Sequence, residues 1–560
     1  MNAVRRRWLF GAAVFLLLFW LVGSPLVVTF LSALERTPGF AGETVASESP
    51  FLEFARRPGE WTALGRSLWI SLASVVLAAA VGVPLAFLFA RSEFPGRRTL
   101  GELLALPVAL PPLIGVIAFL YLYGESGFAT RLMAGLLGSE TPPWRLSGPA
   151  AILLVHTYSM YVYFYLLTRA ALARFDGAAL EAAAALGAGR VRRLWRVLLP
   201  GIAPALGGAA LLTFLAALGS FSAPYIFGGS YRVMTTQILA SKQNGDVDMA
   251  EVETVVLTAT AIVGLLVLRR LERQDGAAAL RGVAPARRRV ASRGARIAVT
   301  VAGWGLALFL LLPHLTLLLI SLVPRATWTR EAFPPVLSLA NYRALISTAE
   351  GVRPIGNSLW MALAATAAAL ALGYLAARRA LDRRPGAAFW ARPIALLLAL
   401  PWAVPATAFA VSLAFAMSVH QPLAGRFVLI GTLFLLPLAY LVRALPSTGQ
   451  AAIAALSRFD RGLEEAAASL GASKLRAFVR VTWPGIRPAM AAGASLAFLG
   501  AFGDFVVSIV LYTWETRPIS IEILSNLRLQ ETGVAAAYGV LLTALSATAF
   551  LVWGRESEPR

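Results

Sequence analysis

Apolar runs of about 20 residues recur along this 560-residue chain, and no other feature limits its fold so strongly. A run of that length crosses roughly 30 Å of hydrocarbon as an α-helix. The sequence predicts twelve spans, at about 8–31, 67–90, 101–123, 148–168, 203–228, 251–268, 297–323, 357–377, 391–417, 427–442, 489–512 and 534–553. With 58% hydrophobic and 14% charged residues, a soluble enzyme and a disordered chain are excluded. The chain is therefore predicted to be an all-α integral membrane protein.

The net charge of +21 is explained by membrane topology rather than by nucleic-acid binding. Segments 269–296 and 378–392 hold nine and five Arg, whereas 32–65 holds three Arg against five Glu. Arginine-rich loops are typical of the cytoplasmic side, so both termini and segment 269–296 are predicted inside. The mildly basic segment 324–356, predicted outside, fits this pattern least well. The first apolar run is too long for a signal peptide and is interpreted as an uncleaved helix.

The second half of the chain repeats the first. Three motifs recur in the same order: Arg66-Ser67-Leu68-Trp69 as Asn357-Ser358-Leu359-Trp360, Leu106-Pro107 with Pro111 as Leu400-Pro401 with Pro405, and Arg174-Phe175-Asp176 as Arg458-Phe459-Asp460. Because each half has six predicted spans, the two repeats enter the membrane in the same orientation and share a path between them. The predicted domains are a first half at 1–268, a basic cytoplasmic linker at 269–296 and a second half at 297–560.

The repeat with the clearest chemistry lies between the fourth and fifth spans of each half. Its two copies are Glu181-Ala182-Ala183 with Gly187 and Pro200, and Glu465-Ala466-Ala467 with Gly471 and Pro484. The Ala-rich run favours a helix, Gly permits a left-handed residue that ends it, and Pro is expected to start the turn into the fifth span. A short exposed helix with a small-residue face suits docking into a groove of another protein.

These segments resemble the EAA loops of binding-protein-dependent ABC importer permeases. The family pattern is E-A-A, three residues, G, nine residues and I-x-L-P. Val197 and Val481 replace the Ile in the two copies, and in the second copy Trp483 replaces the Leu. The resemblance implies two six-helix permease halves in a bacterial cytoplasmic membrane, each with a coupling helix seated on an ATPase subunit. It also implies an extracytoplasmic binding protein that delivers the substrate.

The fused layout resembles permeases for ferric iron and thiamine, and residues 503–523 look more like the iron type. Fe(III) is the favoured substrate, with thiamine, phosphonate or polyamine as alternatives. No G-x-x-x-x-G-K-[ST] segment occurs, so ATP and magnesium are expected to be used by separate ATPase subunits and not by this chain. Two copies of the ATPase subunit are expected. With no Cys and three His, no metal or cofactor site is expected. A secondary transporter is the other hypothesis, but it normally needs several buried ionisable groups.

Candidate residues of the translocation path lie within the predicted spans. Asp504 is the only acidic or basic residue deep within them, and its repeat mate is Ser220. Such an acid either faces a cavity or binds a neighbouring helix, and both readings stay open. His156 and Tyr158, on the fourth span, are candidates for the path or for helix packing. Prolines within the third spans are expected to break helical hydrogen bonds and to form either a gate or a packing kink. They are Pro107, Pro111, Pro112, Pro401 and Pro405.

Overall fold

The protein is described here from a computed structural model that covers residues 3–34, 49–105, 107, 111–274, 288–289, 292–324 and 336–557. The helices of the first half are α1 (Ala3–Leu18), α2 (Ser24–Leu34), α3 (Pro50–Arg56), α4 (Pro58–Arg91), α5 (Arg97–Leu103), α6 (Pro112–Tyr123), α7 (Phe128–Leu137), α8 (Gly148–Leu172), α9 (Gly177–Ala185), α10 (Arg190–Arg193), α11 (Leu199–Leu218), α12 (Ser222–Phe227), α13 (Met234–Gln243) and α14 (Val247–Gln274).

The second half contains α15 (Arg293–Ser321), α16 (Ala340–Ser347), α17 (Ala349–Ala380), α18 (Ala388–Ala403), α19 (Ala406–Ala416), α20 (Leu435–Arg458), α21 (Gly462–Ser469), α22 (Lys474–Ala477), α23 (Trp483–Phe502), α24 (Val506–Leu511), α25 (Ile519–Arg528) and α26 (Thr532–Ser557). Two short strands, β1 (Ser92–Glu93) and β2 (Arg288–Arg289), pair in parallel. Most of the predicted linker 269–296 and Leu106 lie outside the described residues.

In the described part of the chain, ten helices are long and apolar enough to cross a membrane, and α18 with α19 forms an eleventh span bent by 113°. The predicted tenth span, 427–442, is shifted in the structure, because α20 begins only at Leu435. Left-handed backbone at Gly425, Arg426 and Gly431 holds the preceding residues out of a helix. Since α20 packs along α17 as α8 packs along α4, it takes the place of the missing span in the repeat.

The third and fifth spans of both halves are broken rather than continuous. The prolines lie at the breaks of the third spans: α5 ends before Pro107, α6 starts at Pro112, and Pro405 separates α18 from α19. The predicted fifth spans, 203–228 and 489–512, end early, because α11 stops at Leu218 and α23 at Phe502. A short helix, α12 or α24, follows each break.

The two halves exchange their first spans. Helix α2 packs against α19 of the second half, and α15 packs against α6 of the first half. Close crossings inside each half depend on equivalent glycines. A Cβ on Gly82 would lie 2.4 Å from the Tyr161 carbonyl oxygen, and one on Gly373 would lie 2.7 Å from Thr448 Oγ1. Small residues at these crossings let the helix backbones approach closely, as is usual within membranes.

Asp382 fastens the loop after α17, beside the N-terminal helix. Its buried carboxylate accepts hydrogen bonds from Arg384 Nε at 2.9 Å and Nη2 at 3.1 Å and pairs with Arg379 at 3.4 Å. The Arg379 guanidinium also stacks on the Phe10 ring of α1 at 4.2 Å. Burial alone would raise the pKa of Asp382, but the hydrogen bonds and charges of the two arginines hold this pKa below its usual value.

Asp382→Asn is expected to destabilise the chain by about 1–2 kcal/mol at pH 7, because charge-assisted hydrogen bonds are lost. Since the pKa of Asp382 is lowered by folding, its stabilisation is present above about pH 4 and disappears as the pH falls through the lowered value. Thermal unfolding of the purified chain at several pH values measures both effects. Glu102→Gln, in an exposed pair with Arg98, should change stability by less than about 0.5 kcal/mol. An equal loss in both variants would contradict this assignment.

Candidate docking loops and central constriction

Two exposed helix–turn–helix loops lie at the same end of the bundle. Asp176 begins α9 by accepting a hydrogen bond from the Ala178 amide at 3.0 Å, and Asp460 accepts one from the Gly462 amide at 2.9 Å ahead of α21. Both helices end before a glycine with left-handed backbone, Gly187 at φ 78° and Gly471 at φ 79°. Only glycine takes this conformation without strain, so the turn has the same shape in both copies.

The phenylalanine of each Arg-Phe-Asp repeat anchors its loop to the fifth span. A Cβ on Gly201 would lie 2.4 Å from the Phe175 ring, and one on Gly485 would lie 2.8 Å from the Phe459 ring. Each ring therefore fills the space left by the glycine that follows Pro200 or Pro484. The start of the fifth span is thereby packed directly against its loop.

The prolines do not start a turn into the fifth span, contrary to the sequence prediction. A continuous helix runs from Arg190 to Leu218 and another from Lys474 to Phe502. A π-helical turn just before each proline, at Leu194–Leu198 and Phe478–Thr482, allows this continuity. Because its hydrogen bonds are i→i+5, the wider turn leaves room for a ring that would clash within a regular α-helix.

Apolar side chains on the loops point into solvent. Leu186 is 88% exposed and Leu470 is 89% exposed, and Glu181 and Glu465 are exposed beside them. The same face carries exposed Val191, Trp195, Leu475 and Val479. Large exposed apolar patches mark contact sites for other proteins.

The two loops are held to the membrane helices by different chemistry. Glu464 pairs with Arg378 of α17 at 3.1 Å and accepts a hydrogen bond from Thr482 Oγ1 at 2.6 Å. Its repeat mate in the first half, Leu180, packs into an apolar cluster that includes Phe175. The same position therefore uses an ion pair in one half and hydrophobic contact in the other.

The broken spans of the two halves meet at the centre of the bundle. A Cβ on Gly503 would lie 2.7 Å from Pro111 of the other half, and one on Gly219 would lie 3.6 Å from Pro405. The Phe221 and Phe505 rings, which are repeat mates, meet with centroids 5.8 Å apart, and Tyr225 packs beside them. The breaks thus form one constriction filled by aromatic rings. Pro107 and Pro401 are buried in the neighbouring third spans.

Asp504 lies directly before Phe505 and begins α24. Its Oδ1 accepts hydrogen bonds from the amides of Val507 at 2.9 Å and Ser508 at 3.0 Å, and Ser508 Oγ also bonds Tyr440. Its backbone carbonyl accepts from Ser520 Oγ at 2.5 Å. As a residue Asp504 is partly exposed, while its Oδ1 caps α24 beside the constriction. Contact with substrate remains a prediction.

Arg443 is a second deep charge that the sequence prediction missed. Its guanidinium donates to the carbonyls of Pro401 at 2.7 Å and Val404 at 3.1 Å, at the bend between α18 and α19. Its charge also acts on Asp504. The predicted tenth span ended at residue 442, which placed Arg443 outside the membrane. The true start of α20 brings it inside.

His156 and Tyr158 make hydrogen bonds between helices. Buried His156 joins Ser74 at 2.8 Å through Nδ1 and Ser220 at 2.9 Å through Nε2. Tyr158 donates to the Leu310 carbonyl at 2.9 Å and lies 3.3 Å from His314. In the described residues, Ser220 forms hydrogen bonds only within the first half, and Asp504 forms hydrogen bonds only within the second half.

No group of three or more His, Asp or Glu in the described residues is placed to hold a metal.

Two similar multi-span halves, broken helices that meet between them and paired loops at one end define a membrane transport protein of the permease class. Residues 82–273 and 369–559 each match the family described as "Binding-protein-dependent transport system inner membrane component". The chain therefore belongs to this family of ABC importer permeases, and it carries the permease domain twice. The duplication and the recognition of the family from the sequence are confirmed.

Two similar proteins align along nearly the whole chain, and a third aligns with part of it. The chain is 28% identical over 545 residues to the probable ABC transporter permease y4fN of Sinorhizobium fredii, covering 96% of this chain and 95% of that one. It is 25% identical over 561 residues to the ferric transport system permease FbpB of Actinobacillus pleuropneumoniae, covering 95% and 75%. A molybdenum permease, ModB of Mycobacterium bovis, is 36% identical over 181 residues, covering 32% and 66%.

Replacement of Asp504 separates a structural role from contact with a charged substrate. If the negative charge acts on substrate, Asp504→Asn is expected to reduce uptake by about tenfold or more, while Asp504→Glu retains part of it, because a lost charge interaction of about 1.4 kcal/mol equals a factor of ten. Uptake by cells expressing equal amounts of each variant is the measurement. Ser508→Ala, which removes one hydrogen bond to the same carboxylate, is the control for capping. Equal transport by the Asn and Glu variants would contradict substrate contact.

Proposed function

We propose that this chain forms the membrane path of an ABC importer for Fe(III), delivered by an extracytoplasmic binding protein. Separate ATPase subunits, one on each loop, are proposed to drive it. The observation that carries this proposal is the pair of exposed loops at one end, each fixed through a phenylalanine ring to a helix that leads to the constriction. The loop end is proposed to be cytoplasmic, with both termini, and the opposite end to face the binding protein.

Helices α11 and α23 are suited to carry movement from the loops to the constriction. Each has 20 residues, or about 30 Å at 1.5 Å per residue, which is the thickness of the hydrocarbon layer. Phe175 and Phe459 hold the loop end of these helices, while Gly219 and Gly503 end them beside Phe221 and Phe505. A displacement of both loops would therefore tilt the helices and separate the two rings. Such a tilt is the kind of rigid-body change that alternates access in transporters.

Support for Fe(III) comes from two observations. The ferric relative aligns along nearly the whole of this fused chain. Asp504 also places a carboxylate oxygen, a suitable ligand for a hard cation, beside the constriction. Thiamine, phosphonate and polyamine are the alternative substrates. The molybdenum relative shows that the same permease domain occurs in a protein named for a different substrate.

A secondary transporter is the second candidate function. Ionisable groups deep in the bundle, such as Asp504 and Arg443, are compatible with ion coupling. The exposed loops favour the importer, because ion coupling gives no reason for two matching apolar docking faces. Transport by the purified chain alone, driven by a proton gradient, would favour the secondary transporter.

Changing Glu181 and Glu465 together to Arg is expected to abolish co-purification of the ATPase subunits. Both carboxylates are exposed on the docking faces, so reversal of their charge should disturb the contact without unfolding the chain. The measurement is the amount of ATPase captured with the tagged permease from membranes. Glu102→Arg, which changes an exposed acid on α5, is the matched control and should retain the ATPase. Undiminished capture by the double variant would contradict docking at these loops.

The substrate is tested with the permease, its ATPase and its binding protein reconstituted in liposomes. Radiolabelled Fe(III) is expected to accumulate only when ATP is supplied, at least tenfold above thiamine or molybdate. Binding of the same compounds by the isolated binding protein gives an independent measurement. ATP-driven accumulation of a different compound would overturn Fe(III) and leave the importer in place. Accumulation without ATP would overturn the importer itself.

A further inference from the structure

Three carboxyl groups are buried in the first half, at the end of the bundle opposite the docking loops. Glu60 lies in the first turn of α4, and Glu251 and Glu253 lie in the first two turns of α14. Their exposed fractions are 3%, 4% and 0%. An isolated buried carboxylate is very costly, so such groups are expected to be paired, hydrogen-bonded or protonated.

Glu60 and Glu253 come from distant parts of the chain, and two residues one turn apart on α13, Gln237 and Ser241, bind them and bring their carboxyl groups together. One oxygen of each is satisfied: Gln237 Nε2 donates to Glu60 Oε1 at 3.1 Å, and Ser241 Oγ donates to Glu253 Oε1 at 2.7 Å. The second oxygen of each, Oε2, is buried without a hydrogen-bond partner. Two carboxylates in such contact cannot both be ionised, whereas one shared proton satisfies both.

We propose that Glu60 and Glu253 form a proton-binding site that holds α13 against α4 and α14. With the proton in place, the carboxyl of one residue donates to the carboxylate of the other. Loss of the proton leaves two negative charges in contact and pushes the helices apart. The existence of this site is independent of the proposed substrate; only its access from outside the cell rests on the proposed orientation.

No neighbouring cation neutralises the pair in the described structure. Lys242 of α13 instead donates to the Val510 carbonyl at 3.1 Å, and Arg57 pairs with Asp246 at 3.1 Å and with Glu53. Helices α2, α11 and α19, which pack against α14, carry no titratable side chain. Arg66 of α4 donates to the Ser230 carbonyl at 3.4 Å and stacks on the Tyr231 ring. The other charged residues on the elements packed around the pair are Arg56, Asp248, Glu251, Arg91 at the far end of α4, Arg269, Arg270, Glu272 and Arg273 at the far end of α14, and Arg392 on α18.

The second half has the same backbone arrangement with different acids: Glu522, which pairs with Arg517 at 2.7 Å, takes the place of Gln237. Ser67 Oγ accepts from the Met234 amide at 2.7 Å, and Ser358 Oγ accepts from the Ile519 amide at 2.9 Å, which aligns the two copies. Gly351 then takes the place of Glu60, and Tyr538 takes the place of Glu253. The Tyr538 hydroxyl donates to the Gly351 carbonyl at 2.7 Å. A neutral hydrogen bond therefore joins these helices in the second half, and a titratable one joins them in the first.

Helix α13 links the acid pair to the constriction. Thr235 Oγ1, in its first turn, donates at 2.8 Å to the carbonyl of Ser220, which directly precedes Phe221. Gln237 and Ser241, further along the same helix, bind the two acids. Packing of α13 against the pair therefore stabilises the backbone beside Phe221. The protonated pair is expected to favour the closed constriction, and a rise in pH at this end is expected to ease its opening.

The experiment uses the purified full chain in nanodiscs. The infrared spectrum of the wild type minus that of Glu253→Gln is expected to show the C=O stretch of a protonated carboxyl, which disappears as the pH rises. Over the same range the unfolding equilibrium constant of the wild type should rise by up to tenfold per pH unit, because the folded protein holds one proton that the unfolded chain releases. Glu253→Gln and Glu60→Gln should lose the part of this dependence that the pair contributes, since an amide supplies the hydrogen bond without titrating; the dependence that is left comes from other buried acids such as Glu251.

Two further variants keep the test decisive. Glu251→Gln removes a buried acid outside the pair and should retain the part of the pH dependence that the pair contributes. The double variant Glu60→Gly with Glu253→Tyr introduces the two residues of the second half at these positions and should fold without the contribution of the pair, even if the single Gln variants unfold. The proposal is overturned if no protonated-carboxyl band appears at any pH. Parallel pH dependence of the wild type and the double variant would also overturn it, as would stabilisation of the wild type by sodium ions in place of protons.

Discussion

The architecture depends on how the backbone is satisfied where the membrane helices break. Unpaired amide and carbonyl groups cannot face lipid, so a broken span is tolerated only inside protein or beside a cavity. Arg443 donates to the carbonyls exposed at the bend between α18 and α19, and Asp504 accepts from the first amides of α24. Both groups lie at the crossing of the two halves. The same polar contacts that permit the breaks therefore place them at the centre, where a path can open.

Duplication has kept the positions of backbone contacts and varied the side-chain chemistry at them. Ser67 and Ser358 accept from equivalent amides, and Gly82 and Gly373 allow equivalent helix crossings. At other paired positions the chemistry differs: His156 and Tyr440, Leu180 and Glu464, Glu60 and Gly351, Glu253 and Tyr538. The serine contacts to backbone amides and the glycine crossings are thus repeated, whereas many of the other side chains have diverged. The two halves consequently share a shape but differ in their response to charge.

Most of the fold could be predicted from the sequence because span length, helix-ending glycines and repeated motifs are local features. The duplication, the exposed loops and the broken third spans follow from such features. The start of α20 could not be predicted, since it depends on left-handed backbone at Arg426, a residue that rarely adopts it. Arg443 was missed for this reason. The contact of Glu60 with Glu253 was missed because it joins segments far apart in the chain, and only the fold brings them together.

The different side chains in the two halves give each half its own control over the constriction. In the second half, the Arg378–Glu464 pair ties α21 to α17, while hydrogen bonds through Ser358 and Ser520 and the Arg517–Glu522 ion pair hold α25 at the opposite end. In the first half the loop is held by apolar packing, and the opposite end contains the acid pair. Salt weakens an exposed ion pair and pH changes a buried acid pair, but neither strongly affects apolar packing. Phe221 of the first half and Phe505 of the second half contact each other, so the path opens only when both move. A change of salt or pH that acts on one half therefore alters access to the whole path.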